Sequence, residues 1–232
     1  MNNKSLMITA IALFIMLIPM LANAVSEAGV IFMLIEPSSR AGGMAHAHVA
    51  QVDDAFAGYW NPAAMAFNRK RQLAVMQTNW LGDVPGIDDI YLFHLGANGF
   101  FEDIGNLGLN LHYITYGSQD RTDYQGNYLG TFNSYELAIA GSHAHQMSRR
   151  LGLGVSFKLI VSDLAPKGQG EIEQGIKGRG ISYAFDFAVK HKDILPKLDF
   201  GLNIQNVGPN ITYINESQSD PLPMNWRMGF SY

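Results

Sequence analysis

The sequence predicts an all-β fold, a transmembrane antiparallel β-barrel, and three observations lead to this prediction. Large apolar residues alternate with small or polar ones over segments of about ten residues, long enough to cross a bilayer as tilted strands. Beyond residue 24 the chain has no apolar run of about 18 residues, so a spanning helix is not predicted there. Long and short connections between the segments alternate, as they do in bacterial membrane barrels.

Eight strands follow from this alternation. The clearest one runs from Leu151 to Val161, where the odd residues are large and apolar and the even residues, except Ile160, are small or polar. Strands of soluble sandwiches are usually shorter, about 5–6 residues. The predicted strands lie at residues 71–80, 89–98, 106–116, 132–144, 150–162, 180–191, 197–207 and 224–232, and long loops are predicted at 117–131, 163–178 and 208–223.

The two faces of the predicted strands differ in polarity. One face is apolar, whereas the other carries charged and amide side chains, which would be costly to bury against a second sheet unless they were paired. We therefore expect the polar face to line a lumen, with Glu136, Lys158, Asp186 and Arg227 as luminal polar residues. A secreted soluble β-sandwich that binds a ligand or protein is the alternative. Aromatic residues near strand ends favour interfacial girdles, although Tyr and Trp favour strands in general. They are Trp80, Tyr113, Tyr116, Tyr135, Tyr183, Trp226 and Tyr232.

Composition excludes several classes of protein. The chain has 232 residues, a net charge of −4 and no cysteine, and 16% of its residues are charged. It is neither strongly basic nor disordered in composition, so nucleic acid is not an expected partner. Because it can form no disulfides, an exported chain of this kind needs an extended hydrogen-bonded framework.

The N-terminus predicts export. Residues 1–24 contain the basic Lys4, an apolar stretch at 6–21 and the small-x-small site Ala22-Asn23-Ala24, which together are typical of a cleaved secretory signal peptide. A transmembrane anchor is the alternative, but the apolar stretch is shorter than the usual ~20 residues. We expect three parts: the signal peptide at 1–24, an N-terminal plug at 25–70 and the barrel strands at 71–232.

Residues 25–70 do not alternate and are expected to form short helical turns and loops. Asn61-Pro62 predicts a turn in which the asparagine side chain bonds nearby backbone. One aspartate of Asp53-Asp54 is expected to cap a short helix or to bond a wall residue such as Lys158 or Arg227. Gly42-Gly43 is expected to mark close packing. The candidate ligand-binding or plug residues are Arg40, Gly42, Gly43, Asp53, Asp54, Trp60, Asn61 and Pro62.

No enzyme, metal site or cofactor is predicted. His46 and His48 stand two residues apart, so on a helix they point to opposite sides, and no cysteine accompanies them. The adjacent carboxyl groups of Asp53 and Asp54 diverge along the chain, and no nucleophile constellation accompanies them. His143 and His145 are expected to lie in a polar turn at the periplasmic rim.

The N-terminal motif closely resembles the signature of the PorV/PorQ family, relatives of the FadL-type channels. The resemblance lies in Arg40-Ala41-Gly42-Gly43-Met44-Ala45, Val49-Ala50, Asp53-Asp54-Ala55 and Tyr59-Trp60-Asn61-Pro62-Ala63-Ala64-Met65-Ala66, and more loosely in Pro221-Leu222-Pro223 and the strands. It implies a Gram-negative outer-membrane barrel of fourteen strands with a luminal plug, acting in type IX-like secretion or in transport of hydrophobic compounds. The implied partners are outer-membrane lipid, secretion components or cargo, and hydrophobic small molecules.

The chain departs from that pattern in its strand number. Eight strands of a probable fourteen are present, and a barrel of about eight strands has no room for a plug. We therefore expect an incomplete barrel. The alternative is a complete small barrel with the aromatic Tyr232 as its C-terminal insertion signal.

Overall fold

The structure, a computed structural model, describes residues 28–123, 125–165, 178–213 and 219–232. The predicted signal peptide at 1–24 and most of the predicted loop at 163–178 therefore lie outside the described residues. Within the described ranges, no helix has the length and hydrophobicity needed to cross a membrane. The described part of the chain is all-β, and its helical turns lie between residues 31 and 67.

Short helical turns and loops make up the N-terminal segment, by which we mean residues 28–70, as predicted. A 3-10 helix at Ile31–Leu34 is followed by helix α1 at Ser39–Gly43 and helix α2 at Ala57–Trp60. A second 3-10 helix covers Pro62–Phe67 and begins with Pro62, whose fixed φ and missing N–H suit the first helical position.

Eight long strands form one antiparallel sheet in an up-and-down half-barrel, in which strands that follow each other in the chain lie side by side. The strands are β1 (Gln72–Asn79), β2 (Ile90–Phe101), β3 (Gly105–Thr122), β4 (Tyr128–Gln146), β5 (Leu151–Ala165), β6 (Gly178–Leu195), β7 (Leu198–Val207), β8 (Ile211–Thr212), β9 (Ser219–Asp220) and β10 (Asn225–Ser231). The short strands β8 and β9 pair with each other and form a separate small sheet. Among the described residues, β1 and β10 each pair on one side only.

All eight predicted strands are present, but the long-loop prediction at 117–131 is wrong. Strand β3 continues to Thr122 and β4 begins at Tyr128, which leaves only five residues, 123–127, between the two strands. The predicted loop at 208–223 likewise contains β8 and β9. Backbone hydrogen bonds between strands do not require apolar and polar residues to alternate. Two paired strands that are polar on both faces therefore have the same composition as a loop, and the sequence does not distinguish them.

The polarity of the sheet is inverted relative to a soluble protein. Phe157 on the convex face is 43% exposed, whereas Asp186 on the concave face is 0% exposed. A β-sandwich would bury the apolar face against a second sheet, so the sandwich alternative does not fit. The other exposed apolar residues of this face include Leu73, Val75, Leu109, Ile139, Leu153, Val155, Leu159, Ile181, Tyr183, Phe185, Phe187, Trp226, Met228 and Phe230.

One apolar patch lies on the otherwise polar concave face. Ile160, the exception to the alternation in β5, is fully buried there beside Leu92 and Ile114. Val30 and Phe32 of the N-terminal segment pack on this patch. The exception therefore marks where the N-terminal segment begins its contact with the wall.

The predicted aromatic girdle needs one correction. Tyr113 and Tyr135 lie next to each other on the convex side with ring centroids 6.0 Å apart, and Tyr91 lies 6.1 Å from Tyr113. Tyr116 instead turns to the concave side, where its hydroxyl donates to Glu136 at 2.5 Å. An interfacial role for the remaining aromatic residues stays a prediction.

Candidate functional site on the concave face

The N-terminal segment lies against the concave face of the sheet. It begins near the ends of the strands that carry the long connections, where Met33 packs in the cluster around Ile160 and Ile211. It reaches the opposite ends of the strands with the Pro62–Phe67 helix, which contacts β3, β4, β5 and β6. This contact surface is the candidate functional site.

Glycines in the wall permit a close approach of backbone to backbone. A Cβ atom at Gly154 would lie 2.3 Å from the amide nitrogen of Ala63, and one at Gly201 would lie 2.5 Å from the carbonyl oxygen of Val49. Any side chain at either position would therefore collide with the N-terminal segment. The sequence analysis did not predict these contacts. The signal for them was the presence of glycines among the residues that alternate with the large apolar ones.

Asn61 is the polar anchor of this contact. Its side-chain oxygen accepts a hydrogen bond from the Ala63 N–H at 3.1 Å, which confirms the predicted Asn61-Pro62 turn. Its side-chain nitrogen donates to the carbonyl oxygens of Val49, at 2.9 Å, and Val189 in β6, at 3.2 Å. Asn61 is completely buried, so one side chain joins the turn, the N-terminal segment and the wall.

Two amide side chains of β7 hold α2 in place. Gln205 donates to the carbonyl oxygen of Tyr59 at 2.7 Å, and Asn203 donates to that of Trp60 at 3.0 Å. These carbonyls lie at the C-terminal end of α2, where helix carbonyls have no partner within the helix. The wall therefore completes the hydrogen bonding of the N-terminal segment, and neither amide was among the predicted site residues.

An arginine–aromatic cluster joins β10 to the N-terminal segment. The Arg227 guanidinium lies 4.7 Å from the Trp60 ring centre and 5.0 Å from that of Tyr59, and it pairs with Glu36 at 3.0 Å. Burial raises the pKa of Tyr59 to about 12, so its neutral hydroxyl donates to the Met33 carbonyl at 3.0 Å. Arg227 faces the concave side as predicted, but its carboxylate partner is Glu36.

The two adjacent aspartates have different partners. Asp53 pairs with Arg40 at 2.6 Å on the exposed side of the N-terminal segment. Asp54 accepts a hydrogen bond from the Phe56 N–H at 2.9 Å, at the start of α2, and its carboxylate lies 3.5 Å from the buried His48. The expected helix cap is not formed, because the residue that precedes α2 is Phe56 and Asp54 bonds the Phe56 N–H in the turn before the helix. Neither aspartate pairs with Lys158 or Arg227. Lys158 pairs with Asp186, and Arg227 pairs with Glu36.

The prediction of close packing at Gly42-Gly43 is wrong. Both glycines lie exposed in α1, and a Cβ atom on either would have no neighbour within 4 Å. His46 stacks beside Trp60 and pairs with Glu36. Among the described residues, no group of three or more His, Cys, Asp or Glu side chains is arranged to hold a metal ion.

A buried ion pair crosses the wall between β5 and β6. Lys158 lies 2.8 Å from Asp186, and it donates to the side-chain oxygen of Asn206 at 2.7 Å. The Asn206 N–H donates to Asp186 at 2.9 Å from a left-handed conformation, with φ of 62°, at a break in the β6–β7 register. This bulge turns both Gln205 and Asn206 inward, which strict alternation could not predict.

Glu136 belongs to a separate network of hydroxyl groups. Its carboxylate accepts hydrogen bonds from Tyr116 at 2.5 Å and from Ser162 at 2.7 Å, and Tyr213 donates to Ser162 at 3.0 Å. Glu136 is buried on the concave face, as are Lys158 and Asp186. Hydroxyl donors rather than a cation therefore compensate its burial.

A small cavity and a larger one border α2. A cavity of about 20 Å³, lined by Tyr59, Asn110 and His112 among others, has room for about one water molecule. A cavity of about 500 Å³ between the N-terminal segment and β10 is lined by Glu36, Trp60 and Arg227 among others. The arrangement can hold the segment in place and offer a charged, aromatic recess, and its residues form no nucleophile–base pair.

Comparison with known protein families supports the resemblance in the N-terminal motif. The family model described as "PorV: Type IX secretion system protein PorV" matches residues 20–232, which include the N-terminal segment and every strand. A comparison with curated proteins gave no match.

Proposed function

Because the chain belongs to the PorV family of type IX secretion system proteins, we propose that it acts in type IX secretion as a plugged barrel. Family membership implies an outer-membrane location. In this proposal residues 1–24 direct export and are cleaved, residues 71–232 form barrel wall, and residues 25–70 act as the luminal plug. Its partners are membrane lipid and secretion components or cargo.

The observation that carries the proposal is the close packing of the N-terminal segment on the polar wall. Gly154 and Gly201 bring backbone against backbone, and Asn61 adds hydrogen bonds on both sides of the contact. Between α2 and the wall, the cavity beside His112 has a volume of only about 20 Å³. A path for hydrophobic compounds needs a continuous apolar opening, so this packing favours the secretion role.

Transport of hydrophobic compounds is the second candidate. It is favoured by the cavity of about 500 Å³ beside β10, which lies within the size range of small-molecule sites. Trp226, Met228 and Phe230 of the edge strand β10 contribute to its lining, although their side chains belong to the convex face, and the charged Glu36 and Arg227 line it from the concave side. The mixed lining suits an amphipathic compound better than a purely apolar one.

Deletion of the gene in its own bacterium distinguishes the two functions. We expect type IX cargo to accumulate inside the deletion strain and to be released again on complementation, while uptake of a long-chain fatty acid stays at the wild-type rate. Normal cargo release together with lost fatty-acid uptake would replace secretion by transport. Cell fractionation with a gel comparing boiled and unboiled protein tests the barrel itself.

A further inference from the structure

We propose that a groove around the turn between β2 and β3 binds a zwitterionic phospholipid with a primary ammonium group, of the phosphatidylethanolamine class. This inference rests on the proposed placement of the sheet in the outer membrane. The turn joins two strands at the end of the sheet that carries the short connections, which in bacterial barrels is the periplasmic end. The groove therefore lies at the level of one leaflet's headgroups.

The groove carries charges of both signs. Its volume is about 560 Å³, and its lining includes Arg69, Arg71, Glu102 and Asp103 together with the exposed Ile104. A phosphoethanolamine headgroup also carries one group of each sign, an anionic phosphate and a cationic ammonium. The phosphate can bind arginine while the ammonium binds the carboxylates.

Aromatic rings hold the two arginines. The Arg69 guanidinium lies 4.2 Å from the Phe100 ring centre, and that of Arg71 lies 5.5 Å from the Phe101 ring centre. Such cation–π contacts favour a defined position of the guanidinium while leaving its N–H groups free to bind. Phe100 and Phe101 are successive strand residues that face opposite sides of the sheet, so Arg71, which lies with Phe101 on the convex side, is the arginine that meets a lipid phosphate. Arginine forms paired hydrogen bonds to phosphate oxygens and therefore suits this anion.

The carboxylates decide the class of lipid. Among the described residues, the ion pairs within 4.0 Å involve none of Arg69, Arg71, Glu102 and Asp103. The two carboxylates would repel a headgroup with only negative charge, and they can accept hydrogen bonds from a primary ammonium. A quaternary ammonium has no N–H to donate, so a choline headgroup fits less well.

An apolar channel continues from the charged groove along the convex face. A second cavity of about 300 Å³ shares Arg71 and Phe101 with the first and extends past Ala97, Gly99 and Leu109. The stem of Arg71 lies directly over Gly99, where a Cβ atom would come within 3.2 Å of Cγ of Arg71. The second cavity therefore begins at the arginine that meets the phosphate, and it offers a place for an acyl chain beside the headgroup.

Native mass spectrometry of the purified barrel tests this site with phospholipids of identical acyl chains. We expect the ethanolamine lipid to bind about threefold more tightly than the choline and glycerol lipids, a margin typical of exposed ion pairs. Arg71→Gln should weaken all three lipids by a similar factor. The double variant Glu102→Gln/Asp103→Asn should lose the preference for ethanolamine and bind the glycerol lipid more tightly.

The matched control is Arg149→Gln/Arg150→Gln, which removes two cations from the neighbouring short turn. It should leave the preference unchanged. Equal binding of the three lipids by the wild type, or the same effect from the control, would overturn the lipid site. A gel comparing boiled and unboiled protein accompanies each variant and shows whether the barrel is folded. A folded barrel that binds the three lipids equally refutes the lipid site alone. A wild type without a boiling-dependent shift refutes the barrel and the lipid site together.

Discussion

Buried charges on the concave face are fixed by specific neighbours. Lys158 and Asp186 meet across β5 and β6, and Asn206 bonds to both of them. Each charge was predicted to face inward from its position on an alternating strand. Their pairing was not predictable, because it depends on the register of β5 and β6 and on the bulge at Asn206.

Removing one member of this pair should strongly destabilise the protein. We expect Asp186→Asn to lower the free energy of unfolding by about 3–5 kcal/mol, because Lys158 then remains buried without a counter-charge. The measurement is urea unfolding in detergent micelles, followed by tryptophan fluorescence. The double variant Lys158→Met/Asp186→Leu is the control, and it should regain most of the loss because neither charge remains. A double variant as unstable as the single one would contradict this account.

The Asp54 carboxylate should make the start of α2 sensitive to acid. Partial burial alone would raise the pKa of Asp54, but His48, the Phe56 N–H and the Arg40 charge together hold it below its usual value of 3.8. The stabilisation is therefore complete above pH 3.8 and is lost as the pH falls through the lower pKa of the folded state.

Hydrogen exchange can follow this loss through the amides of residues 56–60. We expect their protection to fall between pH 4 and pH 2, after correction for the intrinsic exchange rate. Asp54→Asn removes the titrating group, so its protection should not change with pH across that range. A wild type whose corrected protection stays constant would refute the role given to Asp54.

The N-terminal segment is an element that gains its position from the wall. Its helices are four to six residues long, too short to be stable alone. The motif around Asn61-Pro62 predicted a turn, and the structure confirms it. The surface on which this turn rests could not be predicted, since it combines residues from β4, β5, β6 and β7.

A side chain at Gly154 should displace this element while leaving the sheet intact. We expect Gly154→Val to increase hydrogen exchange at residues 57–64 by about tenfold or more, because its Cβ atom would collide with the Ala63 backbone. Gly141→Val is the matched control in β4, where a Cβ atom has no neighbour within 4 Å. Equal exchange in the two variants would show that the glycine contact does not hold the element.

At the scale of the whole molecule, the inverted polarity of the sheet determines where it is stable. The convex face of β5 presents large apolar residues from Leu151 to Val161, a length of strand that fits the apolar thickness of a bilayer. A charge in the middle of this band should therefore cost more than one near its end.

Lysine substitution along β5 tests this dependence on depth. Phe157→Lys should destabilise the membrane-inserted barrel by about 2–4 kcal/mol, whereas Leu151→Lys, at the start of the same strand and on the same face, should cost about 0–1 kcal/mol. The measurement is denaturant unfolding in lipid vesicles. Equal costs at the two positions would contradict a membrane-spanning band on this face.

The sequence alone determined where the eight long strands lie and which face of each strand is apolar, because side-chain polarity with a period of two is a local property of the chain. The exception at Ile160 was visible in the same pattern, but the inner apolar patch to which it belongs was not predicted. Only the tertiary structure revealed the extension of β3 and β4, the inward direction of Tyr116, the bulge at Asn206 and the hydrogen-bond partners of Asn61 on the wall. These features depend on strand register and on contacts between residues far apart in the chain, such as the 128 positions that separate Asn61 from Val189.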